Sequence, residues 1–323
     1  MSLTDMAVHL DPGSLVTQMA QEVRAGLSAR PLTLPPKYFY DAHGSDLFDQ
    51  ITRLEEYYPT RTERSILEER VAEIAEVTGA ETLLELGSGT SEKTRLLLRT
   101  LRDSGTLTRF VPFDVDPAIL TLASEQVAAE FPGLAVQPVV GDFERHLGEL
   151  PRGPRRLLAF LGSTIGNLDP EQRTVFLRDV RGTLAEGDFF LLGTDLVKSP
   201  ERLVAAYDDA LGVTAAFNKN VLTVLDRELD ADFDLDTFQH VAVWNEQEEW
   251  IEMRLRSTEA QRVHVRGLDL EVELARGEEI RTEISAKFRQ EGVTAELAAA
   301  GLELTHWWTD PAGDFALSLS RPM

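Results

Sequence analysis

Between residues 82 and 194 short apolar runs alternate with amphipathic stretches, and this alternation restricts the fold more than any other feature of the chain. Runs at 82–86, 110–113, 134–140, 156–161 and 189–194 read as strands. Between them, helices are expected at 91–101, from Asp116-Pro117 to about residue 130, and from Asp169-Pro170 to about residue 187. Each Asp-Pro pair sets an N-cap acid before a proline in the first helical turn, where the missing N–H costs nothing. Strands that alternate with helices build βαβ units, so a mostly parallel α/β sheet is expected.

Both flanks break the alternation. Residues 12–29 read as one helix, and 31–60 are rich in proline and aromatics. Thr60-x-x-Glu63 has the form of a capping box, opening a helix with Ile66, Leu67, Val71, Ile74 and Ala75 on one face. After Asp195, residues 200–231 look helical and 239–285 contain runs of period two. In 250–256, Ile251, Met253 and Leu255 point one way while Glu252 and Arg254 point the other, as in a strand. This part reads as a separate α+β unit on an antiparallel meander. A helix near 289–300 and a hairpin of 303–308 with 315–319 close the chain and are expected to return to the parallel sheet.

Composition removes several classes of function. The 323 residues suggest two domains, and the 43% hydrophobic content supplies a sizeable core. With 32 Lys and Arg against 55 Asp and Glu, the net charge of −23 argues against nucleic acid or an anionic membrane as partner, because both attract clustered cations. Cysteine is absent, so disulfides, thiolate zinc sites and a cysteine nucleophile are excluded. His9, His43, His146, His240, His264 and His306 show no metal-ligand spacing, so no metal is expected. Neither a signal-peptide pattern nor an apolar run of membrane-spanning length is present. The expectation is a soluble cytoplasmic protein.

The stretch LLELGSGTSEKT, residues 83–94, carries the most chemistry. An apolar strand ends in Glu85, then Gly87-Ser88-Gly89 leads into a helix. Glycines here let backbone approach a ligand, and the helix start offers free N–H groups. A dinucleotide fingerprint needs a third glycine where Glu92 stands, and a carboxylate there repels a pyrophosphate. The Walker A pattern is missing too. There remains the acidic-x-Gly-x-Gly loop of S-adenosylmethionine (SAM) methyltransferases, whose ligand is a sulfonium cation without phosphate. A tight turn without a ligand is the plain alternative.

Asp114 ends the second strand, where an acid can accept ribose hydroxyls, and Gly141-Asp142-Phe143 follows the third, where Asp142 can accept from an adenine amino group. Each aspartate reads equally as a cap or turn residue. Asn167 follows the fourth strand and offers donors and an acceptor suited to an amino acid, or simply a turn. Tyr40, Tyr57 and Tyr207 fit either a pocket wall or half-buried core. Glu283, between Arg281 and Ser285, reads by default as part of a solvated strand face.

These motifs belong to longer strings, among them PPKYFYDAHGSDLFDQITRLEEYYPTRTE, FLGSTIGNL, LLGTDLVK, AYDDALGVTAAFNKN, EISAKF and HWWTDPAGDF. With them the chain, from about residue 20 onward, closely resembles the histidine-specific SAM-dependent methyltransferases of ergothioneine biosynthesis, which convert L-histidine to its Nα-trimethyl betaine, hercynine. The resemblance implies a class I SAM-methyltransferase, Rossmann-like sheet with a C-terminal antiparallel hairpin in residues 61–196 and 287–323. It implies a smaller α+β substrate-binding domain in 1–60 and 197–286. Gly87, Lys93, Asp114, Gly141, Asp142 and Phe143 would bind SAM. Glu283 and Ser285 would hold the imidazole, with Phe48, Tyr57 and Met253 lining its pocket. Asn167 and Tyr207 would hold the α-carboxylate, and Tyr40, Thr214 and the Gly162 carbonyl would surround the amine. Tyr40 and Asn167 are the candidate catalytic residues. A monomer acting on L-histidine is implied.

Two other functions remain open on the sequence. One is a SAM-dependent N-methyltransferase for a different amino acid or small amine. The other is a SAM-binding regulator without turnover.

Overall fold

A computed structural model describes residues 6–10 and 12–323. The chain forms two compact units, one of residues 6–10, 59–197 and 288–323, the other of 12–58 and 198–287.

The larger unit is built on a sheet whose central path runs Val139–Val140, Arg109–Asp114, Thr82–Leu86, Arg156–Phe160, Phe189–Asp195, Phe315–Pro322 and Leu302–Thr309. The first five are parallel. Phe315–Pro322 runs antiparallel to both of its neighbours. This is the mostly parallel α/β sheet that the alternation predicts, closed by the expected C-terminal hairpin. Thr82–Leu86 and Arg156–Phe160 are buried at every residue, as parallel strands covered on both faces must be. From Thr82–Leu86 the chain builds outward to Val139–Val140, then returns to add Arg156–Phe160 on the other side. The strand order therefore reverses beside Thr82–Leu86, and ligands of open α/β sheets bind beyond the carboxyl ends at such a point.

The opposite end of Arg156–Phe160 is fixed by a buried ion pair. Asp188 accepts from Arg156 Nε at 2.9 Å, Nη2 at 2.7 Å and the Arg156 backbone N–H at 2.7 Å.

Several boundaries depart from the sequence reading. The run 134–140 forms two short strands, Ala135–Val136 and Val139–Val140, because Pro138 between them has no N–H for the ladder. The helix expected at 91–101 is Thr94–Asp103, since Ser91 turns the chain in the left-handed region at φ 54°. The helix expected to start at Thr60 begins at Pro59, so Glu63 lies inside it and is no capping residue. Residues 200–231 form two helices, Pro200–Tyr207 and Val213–Leu229, parted at Gly212 with φ 73°. Ala7–Val8 pairs in parallel with Val139–Val140, so residues 6–10 join the larger unit rather than the smaller one.

In the smaller unit a four-stranded sheet runs Leu32–Thr33, Glu279–Ala286, Trp250–Ser257, Phe238–Asn245. Gln261–Val265 and Leu270–Leu274 pair separately as a hairpin, so the period-two region is not one continuous meander. Ile251, Met253 and Leu255 are buried with Phe39, Tyr58, Phe217, Val221 and Ile280. Glu252 on the other side of its strand is also buried, accepting from Trp250 Nε1 at 2.8 Å and Arg254 Nη2 at 2.7 Å.

Candidate active site

In the larger unit the candidate cofactor residues lie at the carboxyl ends of three parallel strands, Thr82–Leu86, Arg109–Asp114 and Val139–Val140. Gly87 and Gly89 take φ of +64° and +47°, and nothing lies within 4 Å of where a Cβ would sit on either. The loop is pinned from the next strand. Asp114 accepts the Gly89 N–H at 2.9 Å through Oδ2 and the Asp116 N–H at 3.1 Å through Oδ1. Burial raises the Asp114 carboxyl above its ordinary range, against the pull of those two N–H groups. The helix cap is Asp116, not Asp114, and it accepts from Ala118 N–H at 2.8 Å. Gly141 passes so close to Phe113 that a Cβ would stand 2.6 Å from its ring. Asp142 is buried and accepts from Glu144 N–H at 2.9 Å. Phe143 packs edge-on against Phe160 and Phe176.

Glu85 and Ser88 supply the unspent polarity of this region. Thr94 donates to Glu85 Oε1, while Glu85 Oε2 and Ser88 Oγ are buried without a hydrogen-bond partner among the described residues. Burial pushes the Glu85 carboxyl up to about 8, with Thr94 and the Lys93 ammonium pulling the other way.

A second buried carboxylate, Glu63 in the helix Pro59–Thr78, joins two candidate residues. It is fully buried, accepts the Gly162 N–H on both oxygens and pairs with the Lys93 ammonium. Gly193 makes room for it, since a Cβ there would lie 2.1 Å from Glu63 Oε1. Gly162 and Ser163 both turn in the left-handed region, at φ 76° and 58°, and Ser163 Oγ accepts the Asp195 N–H at 2.9 Å. Asn167 is half-buried at the end of the 3-10 turn that follows.

The smaller unit holds the other candidate substrate residues, most of them in a wall of aromatic rings and one polar row. Tyr40 meets Phe48 and Phe217 edge-on at 5.6 and 5.4 Å. Phe48 meets Tyr57 at 6.2 Å, and Tyr57 meets Tyr207 at 6.3 Å. Met253 faces Glu283 across neighbouring strands, in register. Glu283, Ser285 and Lys287 alternate along one strand direction and are all buried, so the solvated face expected around Glu283 is absent. Burial pushes the Glu283 carboxyl up to about 8, and the Lys287 charge opposes that rise. Tyr207 Oη and Ser285 Oγ lie 2.7 Å apart, and the Lys287 ammonium donates to both. Below them, His240 bridges the Tyr207 carbonyl and Asn218, and burial lowers its pKa. Thr214 is buried and donates its backbone N–H to Asp209 at 2.7 Å.

The sequence profile of the histidine-specific, SAM-dependent methyltransferases matches residues 19–322. The chain belongs to that family. The methyltransferase is 62% identical to the histidine N-alpha-methyltransferase of Mycolicibacterium smegmatis, over 98% of each chain. It is 58% identical to the protein of the same name from Mycobacterium tuberculosis, again over 98% of each. Against ergothioneine biosynthesis protein 1 of Schizosaccharomyces pombe it is 31% identical, over 68% of this chain and 30% of that one.

The larger unit of the methyltransferase fits its co-substrate SAM. An open glycine cradle, an orphaned carboxylate oxygen on Glu85 and an orphaned hydroxyl on Ser88 suit a ligand that carries an amine and a cationic sulfur. Sequence reasoning missed Glu63, Lys287, Phe217, Asn218 and His240. Lys287 lies inside the EISAKF string and was legible there as a third member of an alternating polar row.

Proposed function

We propose that the protein transfers methyl groups from SAM to the α-amine of L-histidine, three in succession, giving hercynine as the first step of ergothioneine biosynthesis. One observation carries the substrate assignment. Beside the aromatic rings, a buried carboxylate and a buried hydroxyl stand two residues apart on one strand, at Glu283 and Ser285. An imidazole offers the pair of nitrogens that such groups satisfy, and an apolar side chain would leave the buried Glu283 carboxyl without that partner at high cost.

SAM, when bound, supplies an electrophilic methyl on its sulfonium. In this reading Gly87, Lys93, Asp114, Gly141, Asp142 and Phe143 bind it. Glu283 and Ser285 hold the imidazole against Phe48, Tyr57 and Met253, while Asn167 and Tyr207 hold the α-carboxylate. Tyr40, Thr214 and the Gly162 carbonyl surround the amine. No strong base is required, because an α-amine has a pKa of about 7.7–8.0 and orientation of its lone pair supplies the rate. Neutral oxygens and aromatic faces tolerate the final quaternary cation.

The test is mass spectrometry of products from SAM and each of the common amino acids. Histidine alone gaining three methyl groups supports the proposal. Methylation of a different amino acid, or SAM binding without any turnover, overturns it.

A further inference from the structure

The register between Trp250–Ser257 and Glu279–Ala286 slips by one residue. Met253 pairs with Glu283, yet the next residue, Arg254, pairs with Arg281, so Thr282 is the extra residue of a β-bulge. Side chains directly opposite one another share a face of the sheet. Met253 and Leu255 belong to the buried core of the smaller unit, and their partners Glu283 and Ile280 share that face. Continued without the extra residue, the register of Arg281 on Arg254 would set Thr282 opposite Met253. Glu283 would then stand opposite Glu252, carboxylate against carboxylate, on the other face. The bulge is what brings Glu283 beside Met253.

A buried amide holds the bulge. Asn218, in the helix Val213–Leu229, and Thr282 are both wholly buried. Asn218 Nδ2 donates to the Arg254 carbonyl at 3.1 Å, and a carbonyl only accepts, which fixes the orientation of the amide. Its other N–H goes to His240 Nδ1 at 2.8 Å, so the His240 hydrogen sits on Nε2 and is donated to the Tyr207 carbonyl at 2.8 Å. Asn218 Oδ1 accepts from Thr282 Oγ1 at 2.6 Å, and the Met253 carbonyl lies 3.0 Å from the same hydroxyl. Asn218 thus grips both strands at the slip, Thr282 on one and Arg254 on the other.

We infer that Asn218 is a positioning residue for substrate recognition: through Thr282 and the Arg254 carbonyl it holds the bulge that aims Glu283 at the substrate's ring. This rests on the histidine reading above. Asn218 acts through the backbone at Glu283 rather than on the substrate. Ser285, further along the strand, has a hold of its own at Tyr207 Oη, 2.7 Å away, so the effect is read chiefly at Glu283.

The experiment is a double-mutant cycle on kcat/KM for histidine. Asn218→Leu keeps the bulk of the side chain and removes its hydrogen bonds, and it is made both in the wild-type protein and in Glu283→Ala. With Glu283 present, loss of the amide predicts a fall of about ten-fold, mostly in KM. With Glu283 already gone, the same substitution lowers kcat/KM by less than about two-fold, because residues that act through one another are not additive. An equal fall in both backgrounds marks a merely structural asparagine and overturns the inference, as does no fall in the first. Should Asn218→Leu not fold, Thr282→Val, which keeps the shape and loses the hydroxyl, takes its place in the same cycle. Thr282→Ser, which keeps the hydroxyl, then restores most of the activity, and equal losses for valine and serine overturn the inference. Failure of the wild-type protein to methylate histidine strikes the substrate reading itself, before any variant is compared, and takes the inference with it.

Discussion

Glu63 holds Gly162 by its backbone, with the N–H of Gly162 2.8 Å from one carboxylate oxygen and 3.0 Å from the other. The helix Pro59–Thr78 thereby sets the position of a loop whose two left-handed residues have no regular ladder to hold them. The same carboxylate neutralises Lys93. Glu63→Gln keeps an acceptor for Gly162 but leaves Lys93 without its counter-charge. We expect a loss of about 1–3 kcal/mol in urea unfolding, and SAM affinity in calorimetry to fall more than histidine affinity does. Unchanged SAM binding rejects the assignment.

Glu283 links stability to pH. Its carboxyl sits near 8 in the folded protein against an ordinary 4.5. Between those values the folded state binds more protons than the unfolded one, so this group's contribution declines as pH rises and levels off above about 8. Glu283→Gln removes that decline. Its melting temperature relative to wild type is expected to climb between pH 5 and pH 9, by about 2–4 °C per kcal/mol for domains of this size. Parallel melting curves across that range contradict it. Glu85, near 8 for the same reason, leaves a residual decline in the variant.

The substitution Gly141→Ala tests the close approach on the cofactor side. A Cβ there meets the Phe113 ring at 2.6 Å, and Phe113 is fully buried in the sheet and has nowhere to go. Overpacking of this kind costs about 1–3 kcal/mol. The Asp142 loop must shift with it, so SAM affinity falls in titration calorimetry. Wild-type affinity with wild-type stability refutes the packing argument.

The pair of Arg156 and Asp188 bears on stability alone. Asp188→Ala strands a buried guanidinium whose partner also capped the Arg156 N–H, and breaking a buried pair from one side costs about 3–5 kcal/mol. Chemical denaturation reads the loss directly. A cost near that of a surface pair shows that water reaches Arg156.

The parallel sheet was legible because each strand is an apolar run and two helices begin at Asp-Pro, signals contained within a few residues. Gly87, Asp114 and Gly141 were legible because they follow those runs. Glu63 was not, because its partners lie 30 and 99 residues away and its spacing from Thr60 imitates a cap. The polar row was misread for a related reason. Alternation of Arg281, Glu283 and Ser285 looks like a wet strand face, and only Tyr207, 78 residues before Ser285, together with Lys287 shows it to be dry. Pro138 was visible, but its effect on the run around it was underweighted.

The chain leaves the larger unit after Val197 and re-enters it at Phe288, and there Val197 N–H donates to the Phe288 carbonyl at 3.1 Å. Exit and entry are therefore neighbours, like the two ends of a domain spliced into a host. The intervening ninety residues, 198–287, fold with residues 12–58, so changes of sequence there are taken up within the smaller unit rather than on the strands they spring from. Glu283, Ser285 and Lys287 all lie in that insert, whereas the glycine cradle lies in the host. In the proposed reading, the recognised side chain can thereby change while the glycine cradle for the methyl donor is kept.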